Sequence, residues 1–191
     1  MEPRPTPIRT GTIDARFSTL FERHHLEVLA YCMRRVDRTA AEDATSEVFT
    51  VAWRRIDDLD WATARPWLYG IARGVLANQQ RSSMRWLNLN RKTASLAPES
   101  PANPEVVLLQ SESDREVGAA LKQLSDADRE ILLLAVWEEL SGPEIANVIG
   151  ISTNAVDQRL HRAKKRFAKH LKKSQTHSTS APHAANEGGG H

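Results

Sequence analysis

Apolar residues recur along this chain at steps of three and four, and nowhere with the step of two that marks a strand. The first stripe, Phe17, Leu20, Phe21, Val28, Leu29 and Cys32, predicts a helix over residues 15–35. A second is predicted over residues 39–55, opened by Thr39 and Glu42 as a capping-box pair, with Ala44, Val48, Val51 and Ala52 inward. A third starts after Thr63 as N-cap, with Pro66 in its first turn. It carries Trp67, Leu68, Ile71, Ala72, Val75 and Leu76 on one face and is expected to fade near Ser83. The periodicity then dissolves into NLNRKTASLAPESPAN, where no face is apolar. It returns weakly over residues 105–124. A helix capped by Ser125 and Asp128 follows, bearing Ile131, Leu132, Leu134 and Ala135. The next is capped by Ser141 and Glu144, with Pro143 near its start. The last is capped by Ser152 or Thr153 and carries Val156, Leu160, Ala163, Phe167 and Leu171.

The expected fold class is therefore all-α: two small helical domains joined by a flexible linker. The boundaries read as an arm over residues 1–13, a domain over 14–86, a linker over 87–112, a domain over 113–173 and a polar tail over 174–191.

The stretch from Glu144 to Leu160 has the logic of a helix-turn-helix. Ala146 is small where two helix axes cross, and Gly150 stands where a sharp turn wants a left-handed backbone. Ile145, Ile149, Ile151, Val156 and Leu160 close a small shared core. The second helix would lie in the major groove, presenting Thr153, Asn154, Gln158 and Arg162 to base edges. Lys164, Lys165, Arg166 and Lys169 would attract phosphates. Asp157 has two readings. It complements the helix dipole from the first turn or orients Arg159 or His161, or it accepts from a cytosine amino group.

Charge sharpens this picture. The 191-residue chain has a formal net charge of only +2, yet the charges are segregated. Residues 65–92 hold only basic charges, residues 153–173 a single acid, Asp157, and residues 37–60 an acidic excess. Two basic segments far apart in sequence predict two separate contacts with a polyanion. The lone Cys32 excludes an internal disulfide and fits a reducing compartment; it lies on an apolar stripe, as an inert buried thiol does. No apolar run is long enough to insert in a membrane, and the start lacks a signal core, so a cytoplasmic protein is expected. Enzymatic chemistry and cofactors are not expected. There is no phosphate-cradling glycine loop, zinc-ligand set or nucleophile elbow, and the adjacent His24 and His25 point about 100 degrees apart.

The pair "EDATSEVFTVAWRRI" and "RPWLYGIARGVLANQQRS" resembles region two of bacterial sigma factors, most closely the extracytoplasmic-function (ECF) type. "LKQLSDADREILLLAVWEELSGPEIANVIGISTNAVDQRLHRAKKR" resembles their region four. The resemblance implies a factor that binds core RNA polymerase and directs promoter recognition, strand opening and transcription initiation. It implies contact with duplex and single-stranded promoter DNA, and masking by an anti-sigma protein. The first stretch would dock on polymerase through Asp43, Glu47, Trp53 and Arg54, an aromatic among charges suiting a protein interface. The second would hold the melted strand through Arg65, Arg73, Asn78 and Arg81, with Asp60 and Trp61 in the loop that receives a flipped base. Trp61 either stacks on that base or packs over the helix pair. The region-four match assigns upstream promoter contact to Ser152, Thr153, Asn154, Asp157, Gln158, Arg159, His161, Arg162, Lys165 and Arg166. The competing reading is a conventional helix-turn-helix regulator with an N-terminal sensory or dimerisation bundle, which has no need of the purely basic helix from Arg65 to Arg81.

Overall fold

A computed structural model describes residues 8–93 and 112–178, with side chains over residues 13–85 and 114–173. The described residues form seven α-helices, two short 3-10 turns and no strand. In chain order these are α1 (Ile8–Met33), α2 (Arg38–Arg54), 3-10 turns at Ile56–Asp58 and Trp61–Thr63, α3 (Ala64–Thr93), α4 (Glu112–Lys122), α5 (Asp126–Val136), α6 (Gly142–Ile149) and α7 (Thr153–Ser178).

The first three helices pack mutually around Leu20, Val28, Tyr31, Cys32, Ala41, Ala44, Val48, Ala52, Leu68 and Ala72, all buried. Small residues on α2 let its axis come close to both neighbours, because an alanine face adds little to the interaxial distance. In the second half α4, α5 and α6 all lean on α7. Its core is Ile131, Leu134, Ile145, Val156 and Ala163, with Leu160 and Phe167 half-buried beside it.

Several helix ends fall elsewhere than the pattern predicted. Helix α2 is capped by Asp37, whose carboxylate accepts from Ala40 N at 3.0 Å, and not by Thr39. Thr39 lies inside the first turn, and Glu42 pairs with Arg38 at 3.0 Å instead of closing a box. Thr63 donates its hydroxyl to the Asp60 carbonyl at 3.4 Å instead of capping α3. Helix α1 begins at Ile8, within the span read as an arm. Helix α3 continues past Ser83 to Thr93, into the span read as linker, and α7 runs five residues into the expected tail. Those extensions mix polar residues with scattered apolar ones such as Ile8, Trp86 and Leu89 and do not keep the regular steps of three and four, so a periodicity criterion stops short of them. The remaining parts of the predicted arm, linker, weak helix and tail (residues 1–7, 94–111 and 179–191) lie outside the described residues.

The two halves touch. Helix α6 packs along α3, and the end of α1 meets the end of α5. Buried apolar residues of both halves form one continuous cluster.

Candidate nucleic-acid interface

Helix α6 opens with Ser141, whose amide and hydroxyl both donate to one oxygen of Glu144, at 2.8 and 2.6 Å. These bonds hold the Glu144 carboxyl below its usual range, the hydroxyl contributing most and the amide next. Helix α6 ends at Gly150 with φ 79°, the left-handed backbone that favours glycine, and the amides of Gly150 and Ile151 both return to Ala146 O. Ser152 then starts α7 by accepting from Ala155 N at 3.3 Å. Two helices with a tight αL turn and a common core are thus fixed as one rigid unit.

On α7 the residues Asn154, Asp157, Gln158, His161, Arg162 and Lys165 follow the i, i+3, i+4, i+7, i+8, i+11 spacing of one helix face, and all are exposed. Asp157, Gln158, His161 and Arg162 line a shallow concavity there. Arg162 rests its Nε on the Gln158 carbonyl at 3.3 Å, which leaves its two terminal amines for a ligand. Ser152 and Thr153 stand exposed at the open end, while Arg159 is half-buried. Arg166 does not join this face freely, because its guanidinium pairs with the buried carboxylate of Asp128 on α5.

Asp157 is not in the first turn of α7; it is the fifth residue. Its Oδ1 lies 3.5 Å from where a Cβ on Gly142 would sit, and Gly142 is the first residue of α6. The acid therefore stands at the positive end of the neighbouring helix, a favourable place for a carboxylate.

A second basic face lies on α3. Arg73, Asn78 and Arg81 are exposed, and Ala77, Gln80, Arg81, Met84 and Arg85 line a shallow groove beside them. Gln80, Met84 and Arg85 extend this surface beyond the residues the sequence pattern singled out. Arg65 is set apart: it is half-buried, and its charge acts on Glu144 of the other half. Ahead of α3, Asp60 spends its carboxylate on Ala62 N at 3.0 Å and so fixes the second 3-10 turn. That turn presents Trp61, 39 % exposed, with the Arg23 guanidinium carbon 5.9 Å from the indole centroid.

On α2, Asp43, Glu47, Trp53 and Arg54 are all exposed. Trp53 sets its ring perpendicular to Phe17 at 5.0 Å, the outer member of a cluster with Phe21, His25 and Phe49. Phe21, expected in the core, is 40 % exposed there. Gln79 of α3 donates to Glu47 at 3.3 Å, tying the acidic face to the basic helix. His24 pairs with Glu27 at 2.7 Å while His25 packs on Phe21, so the two histidines diverge. No group of three or more metal-ligating side chains exists among the described residues, and none of the described helices is long and apolar enough to cross a membrane.

Comparison with known proteins agrees with this geometry. The description of Sigma-70 region 2 matches residues 20–85, and that of Sigma-70 region 4 matches residues 114–167. The chain is 28% identical to the RNA polymerase sigma factor YlaC of Bacillus subtilis, over 82% of this chain and 92% of that protein. It is 30% identical to the ECF RNA polymerase sigma factor SigL of Mycobacterium tuberculosis, over 78% of this chain and 85% of that one. Among solved structures it resembles CnrH in complex with the cytosolic domain of CnrY, with TM-score 0.52 and 25% identity, covering 82% of this chain and 88% of CnrH. Two helical units in this order, one with exposed acidic and basic helices and one with a helix-turn-helix, define a promoter-specificity subunit. The chain belongs to the ECF group of RNA polymerase sigma factors.

Proposed function

We propose that this sigma factor divides its work among three surfaces. Helix α2 docks on core RNA polymerase through Asp43, Glu47, Trp53 and Arg54. The basic face of α3, with Arg73, Asn78 and Arg81, tracks the separated strand, and Trp61 gives an unpaired base an aromatic platform. Arg65, half-buried at the start of the same helix, adds its charge to that face. Asp60 serves that loop by holding the 3-10 turn.

Helix α7 reads the upstream duplex. Asn154, Gln158 and Arg162 face base edges, while Ser152, Thr153, His161, Lys165 and Arg159 position the backbone. Asp157 supports the helix pair from the α6 end. Arg166 stabilises the domain first and approaches phosphate second.

The observation that carries this reading is the exposed, purely basic face of α3 directly behind the acidic, aromatic α2. A sensory or dimerisation bundle has no use for a polyanion surface there. The chain acts by binding alone, with no catalysis or cofactor of its own, in the cytoplasm where polymerase meets DNA. The likeness to CnrH held by CnrY supports a masking anti-sigma partner here as well.

Binding of promoter duplex in a gel-shift titration, with and without core polymerase, tests the division. Specific retardation should require polymerase. Tight two-half-site binding by the protein alone would favour the conventional regulator.

A further inference from the structure

The loop between α2 and α3 is acidic, although it stands beside a surface built for DNA. Its stretch IDDLDW holds the carboxylates of Asp57, Asp58 and Asp60. Each has a local partner. Asp57 stands 3.9 Å from the Arg16 guanidinium of α1. Asp58 accepts from Arg55 Nε at 3.0 Å, and Asp60 accepts from Ala62 N. Ile56 and Leu59 are buried and pin the loop from beneath, and Arg16 donates to the Leu59 carbonyl at 3.3 Å. The backbone that carries Trp61 is thus fixed from both sides.

Arg23 lies seven residues beyond Arg16, two turns along the same face of α1 and about 10 Å further on. It is not spent in the same way. The side chain is exposed, its guanidinium carbon lies over the Trp61 ring, and none of its N–H groups donates to a described residue. A cation with open donors therefore faces a part-exposed indole across a loop whose acids are already paired.

The separation between the two is the telling quantity. Arg35 packs on the Tyr31 ring at 3.5 Å, a closed contact. Arg23 stands 5.9 Å from the Trp61 centroid. A flat base set between two planes needs two contacts of about 3.5 Å each, about 7 Å in all. Arg23 has only to lift by about 1 Å, and a long cation–π contact is weak opposition. Every base has a π face, so a guanidinium above one and an indole below it suit any base.

We propose that Arg23 is the second wall of the base site: an unpaired base of the melted strand slides between the Trp61 indole and the Arg23 guanidinium, and Arg23 retains it without choosing among bases. This rests on Trp61 being the platform. The test uses the full chain on core polymerase and a fluorescent bubble template made from a promoter on which that holoenzyme initiates. An abasic sugar replaces each unpaired nucleotide of the non-template strand in turn, and anisotropy gives the affinity. One abasic position should weaken binding by the parent, and it marks the seated base. On the intact bubble, Trp61→Ala should bind about fivefold weaker or more, and Arg23→Ala about threefold weaker or more. On the bubble abasic at the marked position, both variants should match the parent. The Arg23→Ala loss should be the same with each of the four bases there. A loss confined to one base would overturn the sandwich in favour of edge reading. An equal loss on intact and abasic templates would mean that Arg23 only steadies the loop, and would overturn the proposal. A marked position that responds to Trp61→Ala but not to Arg23→Ala leaves the platform standing and removes Arg23 from it. If no abasic position weakens the parent, the platform itself fails and Arg23 with it.

Discussion

Arg166, in the middle of the most basic helix of the chain, turns its guanidinium inward onto the buried carboxylate of Asp128 on α5. A cation that sequence pattern assigns to a phosphate thus holds the helix-turn-helix unit to the helix beneath it. Arg166→Ala should therefore cost about 1–3 kcal/mol of folding stability, the penalty for leaving a buried acceptor without its partner. Urea denaturation measures it. The salt dependence of DNA binding separates this role from that of a phosphate contact. Lys165→Ala should lower the slope of log affinity against log salt by about 1, and Arg166→Ala should change it less.

Arg162 is the exposed guanidinium on the reading face, anchored at one nitrogen and open at two. Arg162→Ala should weaken polymerase-dependent upstream recognition by about 1–3 kcal/mol and relax preference at one base position. Competition among single-base variants of the upstream element measures both. Arg73→Ala, on the other grip, should slow strand opening and spare duplex binding, followed by a fluorescent base analogue in the melted segment.

Glu139 holds φ 51°, the one non-glycine residue with positive φ among the described residues. It occupies the turn that closes α5 and leads to α6, where the amides of Trp137 and Glu138 return to Leu133 O and that of Leu140 to Leu134 O. An L side chain there is strained, so Glu139→Gly should stabilise the protein by about 1 kcal/mol. The midpoint of thermal unfolding would rise. An unchanged or lower midpoint would mean that the exposed Glu139 carboxylate makes up for the strain.

Glu144 titrates below the ordinary glutamate range in the folded protein because Ser141 donates to its charged form. A folded value below the unfolded one means stability that is present above the unfolded value and is lost as pH falls through the folded one. Glu144→Gln should therefore be less stable than the parent at neutral pH, and the gap should narrow on acidification. Parallel urea titrations at neutral pH and well below the glutamate range check the sign.

Local signals were the ones the sequence carried well. Ser125 caps α5 through Asp128 N, Ser141 and Glu144 join, and Gly150 takes the left-handed turn, because each needs only neighbours within four residues. The apolar faces of α3 and α7 likewise follow from their own periodicity. Long-range pairings were not legible. Tyr31 looks like an ordinary tyrosine and Arg34 and Arg35 like solvated charges until α5 arrives beside them. Asp128 was read as part of a cap, and nothing local reveals that Arg166 seeks it from 38 positions away. At α2 the sequence reading points to Thr39, but Asp37 caps the helix, its short carboxylate reaching Ala40 N directly. For the site itself, residue types and helix faces could be read, but which cations stay available could not. Arg166 is drawn into the fold by an acid from a distant segment, and Arg65 stands half-buried.

The most direct measurement is run-off transcription from a genomic promoter library with core polymerase, comparing the parent with Arg73→Ala and Arg162→Ala. Discrete start sites that depend on this chain, and that weaken in both variants, are the predicted result. Transcripts that form equally well when the chain is omitted would contradict it.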